Sequence, residues 1–366
     1  MNKRKIDKTF LWIVILLIVF GIIIFTSASM GILARNESKF YAVIFNQFVF
    51  GLIGGSIALY VTSKINYKFW RTYSLIFFII AIILTLLVFV PGLGMAHGGA
   101  NRWIRLFGIS LQPVEFLKIA FLVYFAALLS TAKNKIKQFK YSFLPFIILL
   151  GLISVILLKQ PDTKSILLMI LASFAMLFVS GVSIKKIVGI GLILLLGFGV
   201  LISFKPYLMN RIKSFINPSQ NGSSSSYQIQ QSLIAVGSGG FFGRGLGQSI
   251  QKFNYLPEPQ GDSIFAVLGE ELGFIGSVVL IILYLLFIFR AYKIALYAPD
   301  AFSKLVVIGF STIITAQSFM NMASSIGIFP LTGVPLVFIS HGGTSLFLSL
   351  GMIGIILNIS KYSKSS

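Results

Sequence analysis

The chain contains no cysteine and only two histidines among its 366 residues. The absence of cysteine excludes disulfide bonds, thiolate metal ligands and a thiol nucleophile. His97 and His341 are too few to build a metal centre from several imidazoles. Charged residues are also scarce, at 11% of the chain, whereas soluble domains carry about 25%. Because 57% of the residues are hydrophobic and the mean hydropathy is +0.94, a soluble fold is excluded.

Long apolar runs, in contrast, are abundant. Ten of them are long enough, at roughly 17 residues or more, to cross a bilayer as helices. The predicted spans are 10–29, 42–62, 72–90, 113–131, 142–158, 163–181, 186–203, 264–290, 303–323 and 342–360. The sequence therefore predicts an all-α polytopic membrane protein in which residues 1–366 form a single membrane domain.

Positive charge greatly exceeds negative charge, with 30 Lys and Arg against 9 Asp and Glu. In a soluble protein this excess would suggest a nucleic-acid partner. Here 18 cations fall on one side of the ten spans and six in short loops on the other. The positive-inside rule then predicts that both termini are cytoplasmic, and no nucleic acid is implied. The first span is expected to be a retained signal anchor, because nine more spans follow it.

The segment 204–263 is predicted to be a long outer loop between spans seven and eight. Loops of this length are usually functional or disordered. Apolar residues such as Phe215, Leu233 and Leu256 predict that it packs back on the helices. Its glycine-rich stretch, Gly237–Gly247, follows no predicted strand and lacks the Lys-Ser/Thr ending of a P-loop. Tight turns are therefore expected there rather than a nucleotide site.

Seven of the nine acidic residues are predicted to lie in outer loops or in the outer parts of spans. The seven are Glu37, Glu115, Asp162, Glu258, Asp262, Glu270 and Glu271. Charges at bilayer depth are costly and mark candidate functional sites. Any chemistry that the protein performs is therefore expected at the outer face.

Asp262 lies where the long loop meets the eighth span. It can act as the N-cap of that helix, since Asp before Ser263 is a common helix start. It can equally act as a general base at the membrane surface, and the two roles are not exclusive. Glu270 and Glu271 lie about 12 Å further along the helix, too far to form a carboxylate pair with Asp262 without a bend. Pairing with a buried cation or water is the favoured interpretation for both.

Pro113 opens the fourth span at a position where the first helical turn tolerates proline. Glu115 and Lys118 follow with i,i+3 spacing on one helix face, so they are expected to pair. A structural ion pair is the favoured interpretation, and a polar lining of an outward cavity is the alternative.

A short outer turn, Gln160–Ser165, joins spans five and six. An Asp162 carboxylate that caps the sixth helix is the favoured interpretation of this turn. Arg102, in the outer loop before the fourth span, suits bidentate contact with a phosphate, although an interfacial anchor explains it equally well. His341 is interpreted as an interfacial residue rather than a catalyst.

Six segments of the chain occur in a distinctive order. They are NRWI at 101–104, QPVEFLK at 112–118, QPD at 160–162, the segment 227–247, YLPEPQGDSIFAVLGEELG at 255–273 and PLTGVPLVFISHGGTS at 330–345. Together they resemble the SEDS family (shape, elongation, division and sporulation), the peptidoglycan glycosyltransferases FtsW, RodA and SpoVE, over about residues 10–362. The PEPQ spelling before Asp262 is more similar to the FtsW/SpoVE branch than to RodA.

The resemblance implies polymerisation of lipid II at the outer face of the cytoplasmic membrane, at the division septum in an FtsW-like protein. The acceptor GlcNAc 4-hydroxyl would attack C1 of the donor MurNAc, and undecaprenyl diphosphate would leave. Asp262 matches the family's essential aspartate, which is either a general base or a carboxylate that binds a divalent cation, Mg²⁺ or Mn²⁺.

The resemblance and the outward positive charges also indicate residues that would contact the substrate. These are Arg102, Glu115, Lys118, Gln160, Asp162, Arg244, Lys252 and Glu271. The outward cations expected to stabilise the leaving diphosphate are Arg102, Arg105, Lys159, Arg211, Lys213, Arg244 and Lys252.

The chain departs from the family pattern at three positions. Gly261 replaces a Thr before the aspartate, Lys164 replaces a Gly after Asp162, and His341 replaces a Tyr. None of these changes removes an acid, so activity is still expected. Lys164 has two open interpretations, an added phosphate contact or a pair with Asp162.

By resemblance, the expected partners are a class B penicillin-binding protein that cross-links the strands and other membrane proteins of the division complex. Three alternatives remain: a lipid II flippase, a RodA-like polymerase for elongation or sporulation, and a scaffold that only recruits the transpeptidase. A flippase needs polar residues along a path to the cytoplasmic leaflet. The outward placement of seven of the nine acids favours chemistry instead.

Overall fold

The computed structural model describes residues 6–34, 36–97, 100–106, 109–132, 135–136, 138–218 and 224–363. The helices in these ranges are α1 (Lys8–Leu33), α2 (Glu37–Phe45), α3 (Gly55–Lys64), α4 (Tyr67–Thr72), α5 (Ser74–Leu86), α6 (Pro113–Ala132), α7 (Phe139–Lys159), α8 (Thr163–Val179), α9 (Ile184–Phe204), α10 (Pro206–Ile216), α11 (Ser224–Gly239), α12 (Gln251–Asn254), α13 (Ile264–Leu296), α14 (Ala301–Ser325) and α15 (Gly343–Ser360). A π-helical segment, Asn46–Gly54, joins α2 to α3, and a 3-10 turn, Leu87–Phe89, extends α5. The predicted all-α membrane fold is confirmed.

Each of the ten predicted spans coincides with an apolar helix. Among the described residues, eight helices are long and apolar enough to cross a membrane, and the continuous helix Glu37–Lys64 is one of them. The other two spans coincide with the shorter apolar helices Ser74–Phe89 and Thr163–Val179. Because successive spans run in opposite directions, the connections that precede α6, α8, α13 and α15 lie at one end of the bundle, called the Asp262 end below.

Helix α14 is the central helix of the bundle. In its most apolar stretch 83% of the residues are buried, against 6% in α9, and it packs against α6, α8 and α13. Its first turn is closed by a capping box in which the Asp300 carboxylate accepts a hydrogen bond from the Ser303 N–H at 2.8 Å. Polar residues near the other end of this helix are therefore held on a rigid support at the Asp262 end.

A small antiparallel sheet, which the apolar-run pattern does not predict, precedes α6. Its strands are β1 (Gly94–His97), β2 (Ala100–Leu106) and β3 (Ile109–Leu111), with β2 in the middle. The register pairs Met95 with Trp103 and Ile104 with Leu111. Strands β1 and β3 are short, and β2 does not alternate strictly because Trp103 and Ile104 are adjacent, which is why the sequence pattern misses the sheet.

The long connection between α9 and α13 packs back on the bundle, as its apolar residues predict. It contains α10, α11 and α12, and α11 lies along α13. The glycine-rich stretch forms tight turns, with positive φ at Gly240, Gly243, Gly245 and Gly247. The expectation of tight turns is therefore confirmed.

Helix α13 is broken at Gly273, which adopts φ +65° and ψ −159°. The break exposes backbone groups that pair with the glycine turns of the long connection. The Arg244 N–H donates to the Glu270 carbonyl and the Phe274 N–H donates to the Gly240 carbonyl, both at 3.0 Å. A side chain at Gly273 would collide with the backbone around Gly243, so this junction requires glycine.

Candidate active site

Four connecting segments meet at the Asp262 end: strand β2, the turn between α7 and α8, the end of the α9–α13 connection, and the segment between α14 and α15. Asp262 lies immediately before α13 and is half-buried. Its backbone carbonyl accepts a hydrogen bond from Asn321 Nδ2 of α14 at 2.9 Å. The same Asn321 nitrogen donates to the Val334 carbonyl at 2.8 Å. One amide of the central helix therefore holds both Asp262 and the segment that faces it.

The segment between α14 and α15 is tied to the Asp262 loop at two further points and to the π-helical segment by Gln47. The Ser340 hydroxyl donates to the Gly261 carbonyl at 2.8 Å, and the His341 N–H donates to the Gln260 carbonyl at 2.7 Å. From the π-helical segment, Gln47 donates to the Ser340 carbonyl at 3.2 Å and accepts from the Gly342 N–H at 3.0 Å. These bonds fix the backbone on both sides of the Asp262 side chain.

The Asp262 carboxylate does not cap α13. The residue that precedes the helix is Ser263, and no side chain caps the helix start. The carboxylate lies instead against Gly333, where an added Cβ would come within 3.0 Å of Asp262 Oδ2. Gly333 has φ +66°, a conformation that side-chain-bearing residues rarely adopt. The N-cap interpretation is therefore wrong, and the carboxylate remains available for chemistry.

Three cations lie in this part of the molecule, and each of them binds backbone carbonyls. The Lys164 ammonium donates to the Gly333 carbonyl, and Arg211 Nη1 donates to the Thr332 carbonyl at 3.3 Å. Arg102 donates from Nε to the Gln160 carbonyl at 3.0 Å and from Nη2 to the Pro161 carbonyl at 2.6 Å. Within the described ranges none of the three forms a salt bridge.

The surroundings of Arg211 shift the pKa of its side chain. Burial lowers the pKa of its guanidinium, and the positive charge of Arg102 lowers it further. The neighbouring charges of Asp262 and Asp162 act in the opposite direction. Burial and a neighbouring like charge therefore both disfavour the charged form of Arg211.

Gln160 and Asp162 are both buried and belong to the turn that binds Arg102 through its carbonyls and leads into Lys164. Gln160 Nε2 donates to the Thr85 carbonyl at 2.9 Å. The Asp162 carboxylate accepts hydrogen bonds from the Ser165 N–H at 3.3 Å and from its hydroxyl at 3.0 Å, which caps α8. The predicted cap is confirmed, and Lys164 binds Gly333 rather than Asp162.

Glu115 and Lys118 form the predicted pair, with their charged atoms 2.8 Å apart and both side chains largely buried. Lys118 also donates to Gln317 Oε1 at 3.2 Å, and Gln317 Nε2 donates to the Pro335 carbonyl at 3.2 Å. The two residues line a small cavity between α6, α14 and α15. The pair thus connects to the same segment that carries Gly333, but through Gln317 and not by direct contact with Asp262.

Lys252, Glu271 and Arg244 do not join this site. Lys252 Nζ and Glu271 Oε1 are 2.7 Å apart, and both side chains are fully buried. Ser27 of α1 donates to the Glu271 carboxylate at 2.7 Å. Arg244 Nε lies 3.8 Å from Glu270 Oε1.

The predicted pairing with a buried cation is confirmed for Glu271. It is wrong for Glu270, whose carboxylate accepts from the Ile250 N–H at 3.1 Å and faces the exposed Arg244. Substrate contact from Lys252 or Glu271 would require the Lys252–Glu271 cluster to open.

Three outward cations remain from the predicted set. Lys159 and Lys213 are exposed, and the Arg105 side chain lies outside the described part of the structure.

Three residues of the site are not among those that the sequence predicts: Gln317, Asn321 and Gly333. Gln317 and Asn321 are spaced i,i+4 on the most buried helix, so they lie on one face of it. Two amides on one face of an apolar span are a signal that could have identified them. Gly333 has no such signal, because only the fold shows its positive φ and its contact with Asp262.

The side chains present do not form a resident metal site. Among the described residues no group of three His, Asp or Glu could hold a metal ion. Asp262 is a single carboxylate surrounded by cations, a donor set unlike the clusters of oxygen ligands that bind divalent cations.

A protein-family model described as cell cycle protein, FtsW/RodA/SpoVE, matches residues 8–365. The chain belongs to the FtsW/RodA/SpoVE family. Stage V sporulation protein E of Bacillus subtilis (strain 168) is 40% identical over 366 residues and covers 99% of each chain. A probable peptidoglycan glycosyltransferase FtsW of Geobacter sp. (strain M18) is 39% identical over 354 residues, covering 97% of this chain and 96% of the relative. These relatives confirm the predicted FtsW/SpoVE branch.

A solved chain of a peptidoglycan synthase complex has the same fold. It superimposes with a TM-score of 0.79 at 24% sequence identity and covers 98% of both chains.

Gly261, which stands where the family pattern has threonine, has free space around it in this structure. A Cβ there would meet its nearest neighbours, atoms of Glu258, no closer than 3.5 Å. The loop therefore has room for a side chain, and its geometry does not depend on glycine at this position.

Proposed function

We propose that the protein is a peptidoglycan glycosyltransferase that polymerises lipid II into glycan strands at the outer face of the cytoplasmic membrane during cell division. The observation that carries the proposal is the Asp262 carboxylate, which is half-buried, does not cap its helix and has its backbone held from α14. The names of relatives that are about 40% identical over the full length support the same activity.

In this reaction Asp262 is the general base. Its carboxylate takes the proton of the acceptor GlcNAc 4-hydroxyl as that oxygen forms a bond with C1 of the donor MurNAc. The bond between C1 and the phosphate oxygen breaks, and its electron pair leaves with undecaprenyl diphosphate, so the configuration at C1 inverts. A positioned general base contributes about 10²–10⁴-fold to such a step.

The proposal extends to a partner and a location. The structural neighbour belongs to a synthase complex that coordinates polymerization and crosslinking. We expect this chain likewise to work with a class B penicillin-binding protein, with other division-complex proteins, at the septum and with both termini cytoplasmic.

The test uses purified protein with its cognate transpeptidase in detergent, lipid II and Mg²⁺ or Mn²⁺, with glycan polymer read on a gel. Asp262→Asn and Asp262→Ala are compared with Glu258→Gln, which neutralises an exposed carboxylate in the same loop. Complex formation is checked by pull-down, and folding by thermal unfolding.

We expect polymer from the wild type and from Glu258→Gln, and a loss of at least about 100-fold in both Asp262 variants. Undiminished polymer in the Asp262 variants would remove Asp262 from the chemistry. Absence of polymer in every case, with translocation of lipid II in vesicles, would replace the proposal by a flippase.

A further inference from the structure

Lys164 is the residue of the Asp262 site that the sequence explains least. It stands where the family pattern has glycine, in the second position of α8. Its ammonium donates to the Gly333 carbonyl, on the same residue that lies against the Asp262 carboxylate. A Cβ placed on Gly333 would be 3.8 Å from Lys164 Nζ and 3.0 Å from Asp262 Oδ2. The amine and the carboxylate therefore face each other across one glycine.

The charges at this place do not balance. Hydrogen bonds from Ser165 satisfy the Asp162 carboxylate without removing its charge. Two carboxylates, Asp162 and Asp262, therefore stand against three cations, Lys164, Arg211 and Arg102. None of these cations is in a salt bridge within the part of the chain that the structure describes. Among the described residues the two fully buried cations are paired, Lys118 with Glu115 and Lys252 with Glu271. An excess of positive charge next to Asp262 indicates an anionic ligand.

Unused donors lie beside these cations. A lysine ammonium has three N–H donors, and the structure gives Lys164 one acceptor, the Gly333 carbonyl. The Thr332 hydroxyl, on the adjacent residue, is buried without a hydrogen-bond partner in the described ranges. Burial and the charge of Arg102 both disfavour the charged form of Arg211. A ligand with several acceptor oxygens and two negative charges would accept hydrogen bonds from these donors. It would also offset the repulsion between the positive charges of Arg102 and Arg211.

We propose that Lys164, together with Arg211 beside the Thr332–Gly333 backbone, is an anion-binding pair that holds the diphosphate of a polyprenyl-linked donor next to Asp262. This inference rests on the proposed function, and it names the group that sets affinity for the donor. The pair binds the leaving group and leaves the proton transfer to Asp262. Its effect is therefore expected in KM for the lipid-linked substrate more than in the pH dependence of kcat.

The test measures binding by isothermal titration calorimetry in detergent without turnover. The probes are geranylgeranyl diphosphate, inorganic pyrophosphate and geranylgeraniol, which separate the lipid-linked anion from its two halves. Lys164→Gln removes the charge but keeps an amide donor for the Gly333 carbonyl, and Lys164→Arg retains the charge. Lys205→Gln is the matched control, because Lys205 is an exposed lysine at the same end of the bundle. Thermal unfolding of each variant monitors the fold.

We expect Lys164→Gln to weaken geranylgeranyl diphosphate binding about tenfold, the usual size for one charge-assisted hydrogen bond. Lys164→Arg and Lys205→Gln should stay within about threefold of the wild type, and geranylgeraniol should not distinguish the four proteins. Equal affinities of Lys164→Gln and Lys205→Gln for the diphosphate would overturn the proposal, as would an equal loss for geranylgeraniol. Preference for free pyrophosphate over the lipid-linked form would overturn the assignment to a lipid-linked donor.

The polymer assay separates this inference from the proposed function. Polymer from Lys164→Gln with an unchanged KM would reject the anion site and leave the glycosyltransferase in place. Charge-dependent diphosphate binding in a wild type that makes no polymer would retain the anion site and reject the proposed activity.

Discussion

The molecule holds two groups of charges at the Asp262 end, and they differ in how the charges are satisfied. In the Lys252–Glu271 cluster each charge faces an opposite charge or a hydrogen-bond donor, and both side chains are fully buried. In the Asp262 site the carboxylate is half-buried, and the cations bind only backbone carbonyls. A closed group stabilises the fold, whereas an open group with unused charge is suited to bind a substrate.

The largest expected effect concerns the Lys252–Glu271 cluster. Lys252→Ala or Glu271→Ala leaves one buried charge without its partner and should destabilise the protein by about 3–5 kcal/mol. The double replacement Lys252→Met with Glu271→Leu should recover most of the lost stability, because it removes both charges. Thermal unfolding in detergent measures these changes. If the single variants kept wild-type stability but lost lipid II binding, the cluster would belong to the substrate site.

The second prediction compares two glycines that flank Asp262. Gly333→Ala should lower polymerisation about tenfold or more, because the φ of +66° costs an alanine about 1–2 kcal/mol and the methyl group would crowd Asp262 Oδ2. Gly261→Ala should stay within about threefold, since its Cβ has room. Initial rates of glycan formation provide the measurement. Similar rates for the two variants would show that the Asp262 carboxylate tolerates displacement.

A third, smaller effect is expected at Asn321. Asn321→Ala removes two hydrogen bonds that fix Asp262 and Val334, each contributing about 0.5–1.5 kcal/mol. We expect kcat to fall about tenfold with little change in KM. Ser311→Ala is the control, since the Ser311 hydroxyl bonds only within its own helix. A rate loss in the control as large as that in Asn321→Ala would indicate general damage to α14.

The smallest expected effect concerns His341, in the connection between α14 and α15. Burial lowers the pKa of its imidazole to about 4, and the positive charge of Lys39 adds to the effect. Because the unfolded chain binds the proton more tightly, stability is fully present above pH 6.5 and declines as the pH falls towards 4. The loss at pH 5.5 should be about 1 kcal/mol.

His341→Phe keeps the ring that stacks on Phe25 and removes the titrating group. Its thermal midpoint should therefore vary less between pH 7.5 and pH 5.5 than that of the wild type. An identical pH dependence in both proteins would assign the acid sensitivity to other groups.

The spans, the Glu115–Lys118 pair and the Asp162 cap could be predicted from the sequence, because each depends on residues close together in the chain. Apolar length fixes a span, and i,i+3 spacing fixes a pair on one helix face. The division of the cations between the two groups could not be predicted. It depends on the break at Gly273 and on the return of the long connection to the bundle, which bring Lys252 to Glu271 and leave Lys164 and Arg211 beside Asp262.

The π-helical segment Asn46–Gly54 has a consequence for insertions and deletions. A π-helix accommodates about one more residue per turn than an α-helix. Deletion of a single residue from this segment would restore α-helical winding and rotate everything before it by about 100° relative to α3. Gln47 would then no longer reach Ser340 and Gly342, although the packing of α3 on α15 could persist. A relative with one residue fewer here must hold that segment with a different side chain.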